Sequence, residues 1–240
     1  MDYKALFEVC AFNIQSAIIA EKAGAGRVEL CDNPIEGGTT PSYGSLLQTR
    51  NKINIPLYPL IRPRAGNYFY DDEEFEIIIA DIKICKEIGC DGISIGVQKL
   101  NGLIDTERFK KIVDLAYPMG VTCNRVFDAC PNPFEALETI IDSGCERILT
   151  SGQMTAAADA PNLLQKLVVQ AGNRIIIMPG AGINSNNIAA LKLNTGAKEF
   201  HGSAKKTMVN PMTYLNILVS DYGNVFFADE DEIRKIVHLL

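Results

Sequence analysis

Short runs of Val, Ile and Leu alternate along the chain with longer stretches in which apolar residues recur every three or four positions. The short runs are typical of buried strands and the longer stretches of amphipathic helices. We predict eight strands, at Leu6–Ala11, Arg27–Cys31, Pro56–Arg62, Gly92–Gly96, Val121–Arg125, Arg147–Thr150, Arg174–Pro179 and Ala197–His201. A helical stretch follows each of them, which indicates an α/β protein with a parallel sheet.

The stretch between Glu73 and Ile88 shows the helical period most clearly. Its apolar residues share one face, and its charged residues remain for solvent. Several predicted helices end at a glycine, as at Gly89 and Gly144, because glycine tolerates the left-handed turn at a helix C-terminus. These repeated stops support the strand–helix period.

Eight such units can form a closed barrel or an open doubly wound sheet. A nucleotide-binding open sheet normally carries a glycine-rich fingerprint after its first strand, whereas residues 10–13 here read Cys-Ala-Phe-Asn. We therefore predict a TIM-type (β/α)8 barrel that forms a single domain over residues 1–240. Two long connections, 31–41 and 202–228, are expected at its functional face.

Composition narrows the classes of partner. The net charge is −6, the isoelectric point is near 5.1 and the 23 basic residues are dispersed, which disfavours nucleic acid and anionic membranes as partners. We see no signal peptide and no apolar run of membrane-spanning length. Seven cysteines without a CxxC pair are expected to be reduced thiols in the cytoplasm, and no organic cofactor is implied.

The motif Glu-x-Cys occurs twice, at residues 8–10 and 29–31, on the first two predicted strands. Residues two apart on a strand share a face, so each strand presents a carboxylate and a thiol together. We predict that Glu8 and Glu29 are candidate general bases and that Cys10 and Cys31 are candidate Cu(I) ligands, since thiolates select that ion. A satisfied ionic layer with space-filling cysteines is the alternative interpretation.

Four polar residues near the ends of other predicted strands are further candidates for catalysis. Arg62 and Arg125 could stabilise a developing oxyanion, and Asp128 could pair with Arg125 across the rim. His201 follows the last strand, where a ligand or acid–base role is favoured. A solvated surface position is the alternative for the arginines.

Glycines after the seventh and eighth strands are candidates for binding phosphate or another anion. Gly180, Gly182, Gly202 and Ser203 lie where many barrels hold phosphate on backbone N–H groups. A tight turn before a helix that begins near Ser185 is the alternative.

Several motifs resemble those of the CutC family. They are Phe7-Glu-Val-Cys10, Arg27-Val-Glu-Leu-Cys31, Glu36-Gly-Gly-Thr-Thr-Pro-Ser42, Ile61-Arg-Pro-Arg64, Ile148-Leu-Thr-Ser-Gly152, Met178-Pro-Gly-Ala-Gly182 and Glu199-Phe-His201. The resemblance implies a cytoplasmic TIM barrel of copper homeostasis that self-associates as a dimer or tetramer. It also implies that Cys10 and Cys31 are the Cu(I)-binding thiols. The sequence departs from the family at Asn124, where a histidine is usual.

Three functions remain open at this point. Copper(I) binding requires the Cys10 and Cys31 sulfurs to lie within about 4 to 5 Å, near twice a metal–thiolate bond of about 2.3 Å. The second is an enzyme of hydrolase, lyase or isomerase type that acts on a small anionic or phosphorylated metabolite at the barrel rim. The third is an interaction scaffold that uses the segment 205–228, with Met208, Met212 and Tyr214.

Overall fold

A computed structural model describes residues 5–209, 211–214, 216, 218 and 225–240. Eight parallel strands form one sheet in the order β7-β6-β5-β4-β3-β2-β1-β8. They are β1 (Leu6–Ala11), β2 (Arg27–Leu30), β3 (Leu57–Ile61), β4 (Gly92–Ile95), β5 (Gly120–Cys123), β6 (Arg147–Thr150), β7 (Ile176–Pro179) and β8 (Glu199–Gly202). The predicted TIM barrel is confirmed.

Helices follow the strands around the sheet. They are α1 (Ile14–Lys22), α2 (Tyr43–Arg50), α3 (Asp72–Ile88), α4 (Thr106–Ala116), α5 (Pro133–Asp142), α6 (Pro161–Ala171), α7 (Ile188–Thr195) and α8 (Glu230–Leu239), with 3-10 helices at Arg125–Ala129 and Ala157–Asp159. In α3, Asp71 and Glu74 form a capping box and Gly89 ends the helix at φ 83°. No helix among the described residues is long and apolar enough to span a bilayer.

The segment predicted as a long connection from 202 to 228 contains a further antiparallel pair, β9 (Lys205–Thr207) and β10 (Phe226–Ala228). Its position is fixed from the β1–α1 loop, because Asn13 Nδ2 donates to the Phe226 carbonyl at 2.8 Å. The Lys205 ammonium lies 4.8 Å from the ring centre of Phe226. This hairpin therefore lies beside the strand ends that carry the site. The helix expected near Ser185 begins three residues later, at Ile188.

Inward-facing glycines make room for a large aromatic side chain at the N-terminal end of the barrel. A Cβ on Gly92 would lie 2.0 Å from the Tyr58 ring, and one on Gly120 would lie 2.5 Å from the Tyr58 hydroxyl. The Tyr58 hydroxyl donates to Glu146 at 2.7 Å. The lower interior is thus filled by side chains, as in other barrels of this size.

Charged side chains surround Tyr58 in this lower interior. We call them the basal ionic layer, which comprises Glu8, Arg27, Glu146, Arg147 and Glu199. Arg27 pairs with Glu8 and, at 2.5 Å, with Glu199, and Arg147 pairs with Glu146 and, at 3.1 Å, with Glu199. Each carboxylate of the layer therefore contacts a guanidinium, and Glu8, though not Glu29, belongs to it.

Candidate functional site

The register between β1 and β2 offsets the two Glu-x-Cys motifs. Glu8 pairs with Arg27 and Cys10 pairs with Glu29, so the second motif lies two residues further along the barrel axis than the first. Cys31 follows directly after β2. Because of this offset, the Glu29 side chain lies level with Cys10 and below Cys31.

The two thiols, Glu29 and His201 meet at the C-terminal end of the barrel, and we call these four residues the thiol cluster. The Cys10 and Cys31 sulfurs are 3.6 Å apart, which satisfies the distance criterion derived from the sequence. The Cys31 thiol donates to Glu29 Oε2 at 3.4 Å, and His201 Nε2 is 3.7 Å from the same oxygen. Donor atoms of Cys10, Glu29 and Cys31 all lie within 4.8 Å of one another, a spacing that suits a metal ion.

Glu8 lies below the thiol cluster and holds its imidazole. The β1–β8 register sets Glu8 beside His201, and Glu8 Oε1 is 2.7 Å from His201 Nδ1. Its other oxygen accepts from Arg27 Nε. Burial raises the pKa of Glu8, but the charges and hydrogen bonds of Arg27 and His201 lower it by more than burial raises it. The resulting pKa is about 2. Glu8 is therefore an ionised carboxylate shared between the basal ionic layer and the cluster.

The thiol cluster has uneven electrostatics. The hydrogen bond between Cys10 and Cys31 lowers the pKa of Cys10 and outweighs the effect of burial. Burial raises the pKa of Cys31 well above its usual value. Burial lowers the pKa of His201, but the adjacent carboxylates and the Cys10 thiol raise it more. Cys10 is therefore the thiol that ionises first, beside a protonated imidazole.

A cavity of about 460 Å³ opens above the cluster. Its lining consists of Cys10, Glu29, Cys31, Glu36, Gly37, Leu60, Arg62, Tyr68, Asn124, Arg125, Asp128, Ala129, Leu149 and His201. The sequence-predicted residues Glu29, Arg62, Arg125, Asp128 and His201 are therefore brought to one space with both thiols. Glu8 lies beneath this space, 1% exposed.

Arg62 is buried and holds loops in place. Its Nη1 donates to the carbonyls of Glu36 and Gly38 at 3.0 and 2.8 Å, and its Nη2 donates to the Gly66 carbonyl at 2.7 Å. The guanidinium lies 5.1 Å from the Tyr68 ring centre. Its Nε is buried without a hydrogen-bond partner. Most of its donors are thus already used by the protein itself.

Arg125 and Asp128 form the expected ion pair, at 2.9 Å, but within one 3-10 turn and not across the rim. Asp128 also accepts from the Thr150 and Ser151 hydroxyls at 2.5 and 2.9 Å and from the backbone N–H of Gln153 at 3.1 Å. This carboxylate is saturated with donors, so it fixes the loop after β6. Arg125 is more accessible, with 42% of its side chain exposed.

Asn124 occupies the position where the family usually has histidine. Its Oδ1 accepts from the Val126 N–H at 2.9 Å and caps the 3-10 helix that follows β5. A Cβ on Gly96 would lie 2.3 Å from that oxygen, so glycine is required beside it. The departure therefore has a local structural role at the cavity wall.

The glycines predicted to bind phosphate lie beside the cavity and not in its lining, as far as the described residues extend. The Gly180 N–H donates to the Thr150 carbonyl at 2.9 Å, and Gly202 belongs to β8. The N–H and hydroxyl of Ser185 bind the Glu232 carboxylate of α8, at 2.6 and 2.9 Å. A carboxylate of the chain itself thus lies in this region, and anion binding by Gly180, Gly182, Gly202 and Ser203 stays a prediction.

Sequence reasoning missed Arg27 and Arg147, which anchor the basal ionic layer. Each is the first residue of a strand, a position that usually reads as a solvated end. Their signal was the same alternation that linked Glu29 to Cys31, because Arg27 lies two residues before Glu29. Tyr68 and Glu36, which line the cavity from loops, carried no comparable periodic signal.

Known proteins resemble this chain in sequence over most of its length. A family profile described as CutC family matches residues 5–206. A Chromobacterium violaceum protein named family protein CutC is 44% identical over 209 residues, which cover 87% of this chain and 85% of that protein. A Xylella fastidiosa protein of the same name is 39% identical, with 100% and 90% covered.

Solved structures give the same picture. A Streptococcus agalactiae protein provisionally described as copper homeostasis protein CutC superposes with a TM-score of 0.79 and 33% identity, covering 83% of this chain and 98% of that one. Phosphoribosylanthranilate isomerase from Thermotoga maritima, at 12% identity and TM-score 0.60 with 98% and 97% covered, shares the fold alone. By its sequence profile, its relatives and its barrel, this chain belongs to the CutC family.

Proposed function

We propose that the chain binds Cu(I) in copper homeostasis, with Cys10 and Cys31 as the thiolate ligands. The 3.6 Å approach of the two sulfurs across neighbouring strands is the observation that carries this proposal. Thiolates are the protein ligands that select Cu(I), and Cys10 is partly exposed to the cavity through which an ion would pass. A relative provisionally described as a copper homeostasis protein adds support.

The donor set fits such an ion. The Cys31 thiol is buried and Cys10 is half-buried, and binding would replace the S–H hydrogen bond between them with two metal–sulfur bonds. The pKa of Cys10, lowered by its hydrogen bond with Cys31, assists the loss of the first proton. The His201 imidazole, held by Glu8 at 2.7 Å, lies beside the thiols and can compensate negative charge as their protons leave.

Anaerobic titration with Cu(I) against a competing chelator tests this function. We expect one tightly bound ion, with affinity lowered at least 100-fold in the Cys10→Ser/Cys31→Ser double variant. A matched control exists in the second thiol pair, Cys85 and Cys90, which hydrogen-bond to each other outside the barrel interior. Cys85→Ser/Cys90→Ser should bind Cu(I) as the wild type does. Binding that the Cys10/Cys31 variant keeps would contradict the proposal.

We further propose a cytoplasmic location and a homo-oligomer, dimer or tetramer. All seven cysteines are free thiols, which suits a reducing compartment. Exposed apolar side chains near the β9–β10 hairpin, including Val209, Met212 and Tyr214, offer a surface for self-association. Sedimentation equilibrium across a concentration range checks the oligomer.

A second function is supported by the size of the cavity, since about 460 Å³ exceeds what one ion needs and suits a small organic molecule. Under it the chain is an enzyme for a small anionic metabolite, in which Glu29 and His201 exchange protons and Arg125 contacts the anion. The saturated Asp128 would position Arg125. A thermal-shift screen of small carboxylates and phosphates tests this function, and a stabilising compound should lose its effect in Arg125→Met.

A further inference from the structure

The cavity above the thiol cluster has a second wall that is made of hydrogen-bond donors. Cys10 lies on β1, and β5, which leads into Asn124 and Arg125, lies halfway around the barrel from it. Arg62 and Tyr68 come from the chain that follows β3. We call Arg62, Tyr68, Asn124 and Arg125 the donor wall, since all four line the cavity.

Asn124 presents an amide N–H to the cavity. Its Oδ1 accepts from the Val126 N–H at 2.9 Å, and this bond fixes which end of the amide faces the backbone. The Nδ2 group at the other end donates to none of the residues that the structure describes, although Asn124 lines the cavity and is only 4% exposed. A nearly buried donor is costly unless a ligand or water accepts from it. Asn124 therefore requires an acceptor inside the cavity.

Arg125 and Tyr68 add donors beside that amide. Arg125 uses Nε for Asp128 and Nη2 for Ser151, at 2.9 Å each, while its Nη1 has no partner within the described part of the chain. The Tyr68 hydroxyl likewise bonds to no described residue. Burial raises the pKa of Tyr68, although both guanidiniums of the donor wall act in the opposite direction. The phenol is therefore neutral and keeps its proton to donate.

The charge of the donor wall suits a ligand with one negative charge. Arg62 and Arg125 are both positive, and Asp128, which pairs with Arg125, offsets one of these two charges and leaves one. Leu60 and Leu149 add apolar surface to the same lining. A cavity that is partly apolar with a few convergent polar groups is typical of a site for a small organic molecule.

A phosphate group fits this cavity less well than a carboxylate does. The glycine-containing loops after β7 and β8, predicted to hold phosphate on backbone N–H groups, do not contribute to the lining among the described residues. A phosphate dianion would also bring a second negative charge to a wall with one charge to match it. The donors at hand therefore favour a monoanionic carboxylate.

We propose that the donor wall binds the carboxylate of a small aliphatic acid, with Asn124 Nδ2, Arg125 Nη1 and the Tyr68 hydroxyl as its donors. This inference rests on the second function proposed above, an enzyme for a small anionic metabolite, and names the chemical class of that metabolite. The carbon chain of the bound acid extends across the cavity toward Glu29 and His201, the groups that exchange protons under that function.

Calorimetric titration of the reduced full-length protein with straight-chain acids from acetate to hexanoate tests the class. We expect an acid to bind, and the matching primary amide to bind at least about 10-fold more weakly, because hydrogen bonds to an ionised group are the stronger ones. An alkyl phosphate of equal chain length should also bind more weakly. Tighter binding of the phosphate, lost in Arg125→Met, would overturn the carboxylate assignment and leave the small-anion enzyme standing. Binding of neither anion would overturn both.

Asn124→Asp tests the donor wall directly. Aspartate keeps an oxygen to accept from the Val126 N–H, so folding should be unchanged, but its second oxygen repels a carboxylate. Affinity for the acid should fall at least about 100-fold. Asn132→Asp makes the same change at the cap of α5, outside the lining of this cavity, and should bind the acid as the wild type does.

Tyr68→Phe is a second variant that leaves every described hydrogen bond in place. It removes one donor to the acid and should weaken binding about 10-fold, whether or not Asn124→Asp folds. Thermal unfolding of each variant, measured beside the titrations, separates lost binding from lost structure. Folded Asn124→Asp and Tyr68→Phe proteins that keep the wild-type affinity would overturn the inference.

Discussion

Two polar regions inside the same barrel differ in how their charges are matched. In the basal ionic layer, Arg27 lies between Glu8 and Glu199, and every carboxylate contacts a guanidinium. In the thiol cluster, the polar partners of the Glu29 carboxylate among the described residues are a thiol and an imidazole. A buried charge that is already paired needs no ligand, and removing its partner is costly, whereas buried donors with spare lone pairs suit the cation binding proposed above. The difference separates structure from ligand binding within one set of inward side chains.

The largest effect that tests this division is expected for Arg27→Met. The substitution leaves Glu8 without its guanidinium partner and Glu199 with Arg147 alone, so the free energy of unfolding should fall by about 3–5 kcal/mol. Urea denaturation measures the change. Arg125→Met, on a side chain that is 42% exposed, is the control and should cost less than about 1 kcal/mol. Equal midpoints for the two variants would remove the distinction between the regions.

Glu8→Gln adds a pH dependence. Because the pKa of Glu8 is lowered from 4.5 to about 2, its ionised form stabilises the fold above pH 4.5, and this contribution is lost as the pH falls toward 2. We expect the variant to be less stable by roughly 3 kcal/mol at pH 7, with the difference shrinking below pH 4.5. Urea titrations at several pH values check this. A difference that stays constant with pH would show that packing, and not charge, is responsible.

Metal binding tests the thiol cluster, as Arg27→Met and Glu8→Gln test the basal ionic layer. Cu(I) at 100 times its dissociation constant should raise the free energy of unfolding by about 2.7 kcal/mol, because only the folded chain brings the two thiols together. Cys10→Ser/Cys31→Ser should abolish this gain, whereas Arg27→Met, though less stable, should keep most of it. Calorimetric melting with and without the ion measures both. A gain that survives in the cysteine variant would place the ion elsewhere.

The smallest effect concerns Asn124. Asn124→Ala removes the cap of the 3-10 helix and should cost about 1 kcal/mol. Asn124→His keeps an acceptor at the same bond distance from the backbone and should change stability by less than about 0.5 kcal/mol. Thermal unfolding compares the two. Equal losses would mean that the cap contributes nothing to stability.

The barrel could be predicted from the sequence because strand and helix periods differ and repeat eight times. The bounds of β1 and β6 agree with the prediction, while β7 begins two residues later than expected, at Ile176. The β9–β10 hairpin was missed because pairing between residues about twenty apart has no local periodic signal.

The site was predicted only in part. Alternation placed Glu29 with Cys31 on one face, but the offset between β1 and β2 is a property of the closed barrel and cannot be read from either strand. Because of that offset, Glu8 forms an ion pair with Arg27, and Glu29 lies beside the thiols. The sequence therefore indicated which side chains point inward and not which ones meet.

The hydrogen bonds that Arg62 makes to the loop after β2 affect how fast an ion could bind and dissociate. The Arg62 guanidinium donates to the carbonyls of Glu36 and Gly38, and its backbone N–H donates to the Thr40 hydroxyl oxygen at 2.9 Å. A Cβ on Gly38 would lie 3.6 Å from the Cys31 sulfur, so this clamped loop lies against the cluster. Several hydrogen bonds must break together before the loop lifts. For an ion bound as proposed, opening of this loop would add a barrier to exchange beyond the breaking of its bonds to the donors.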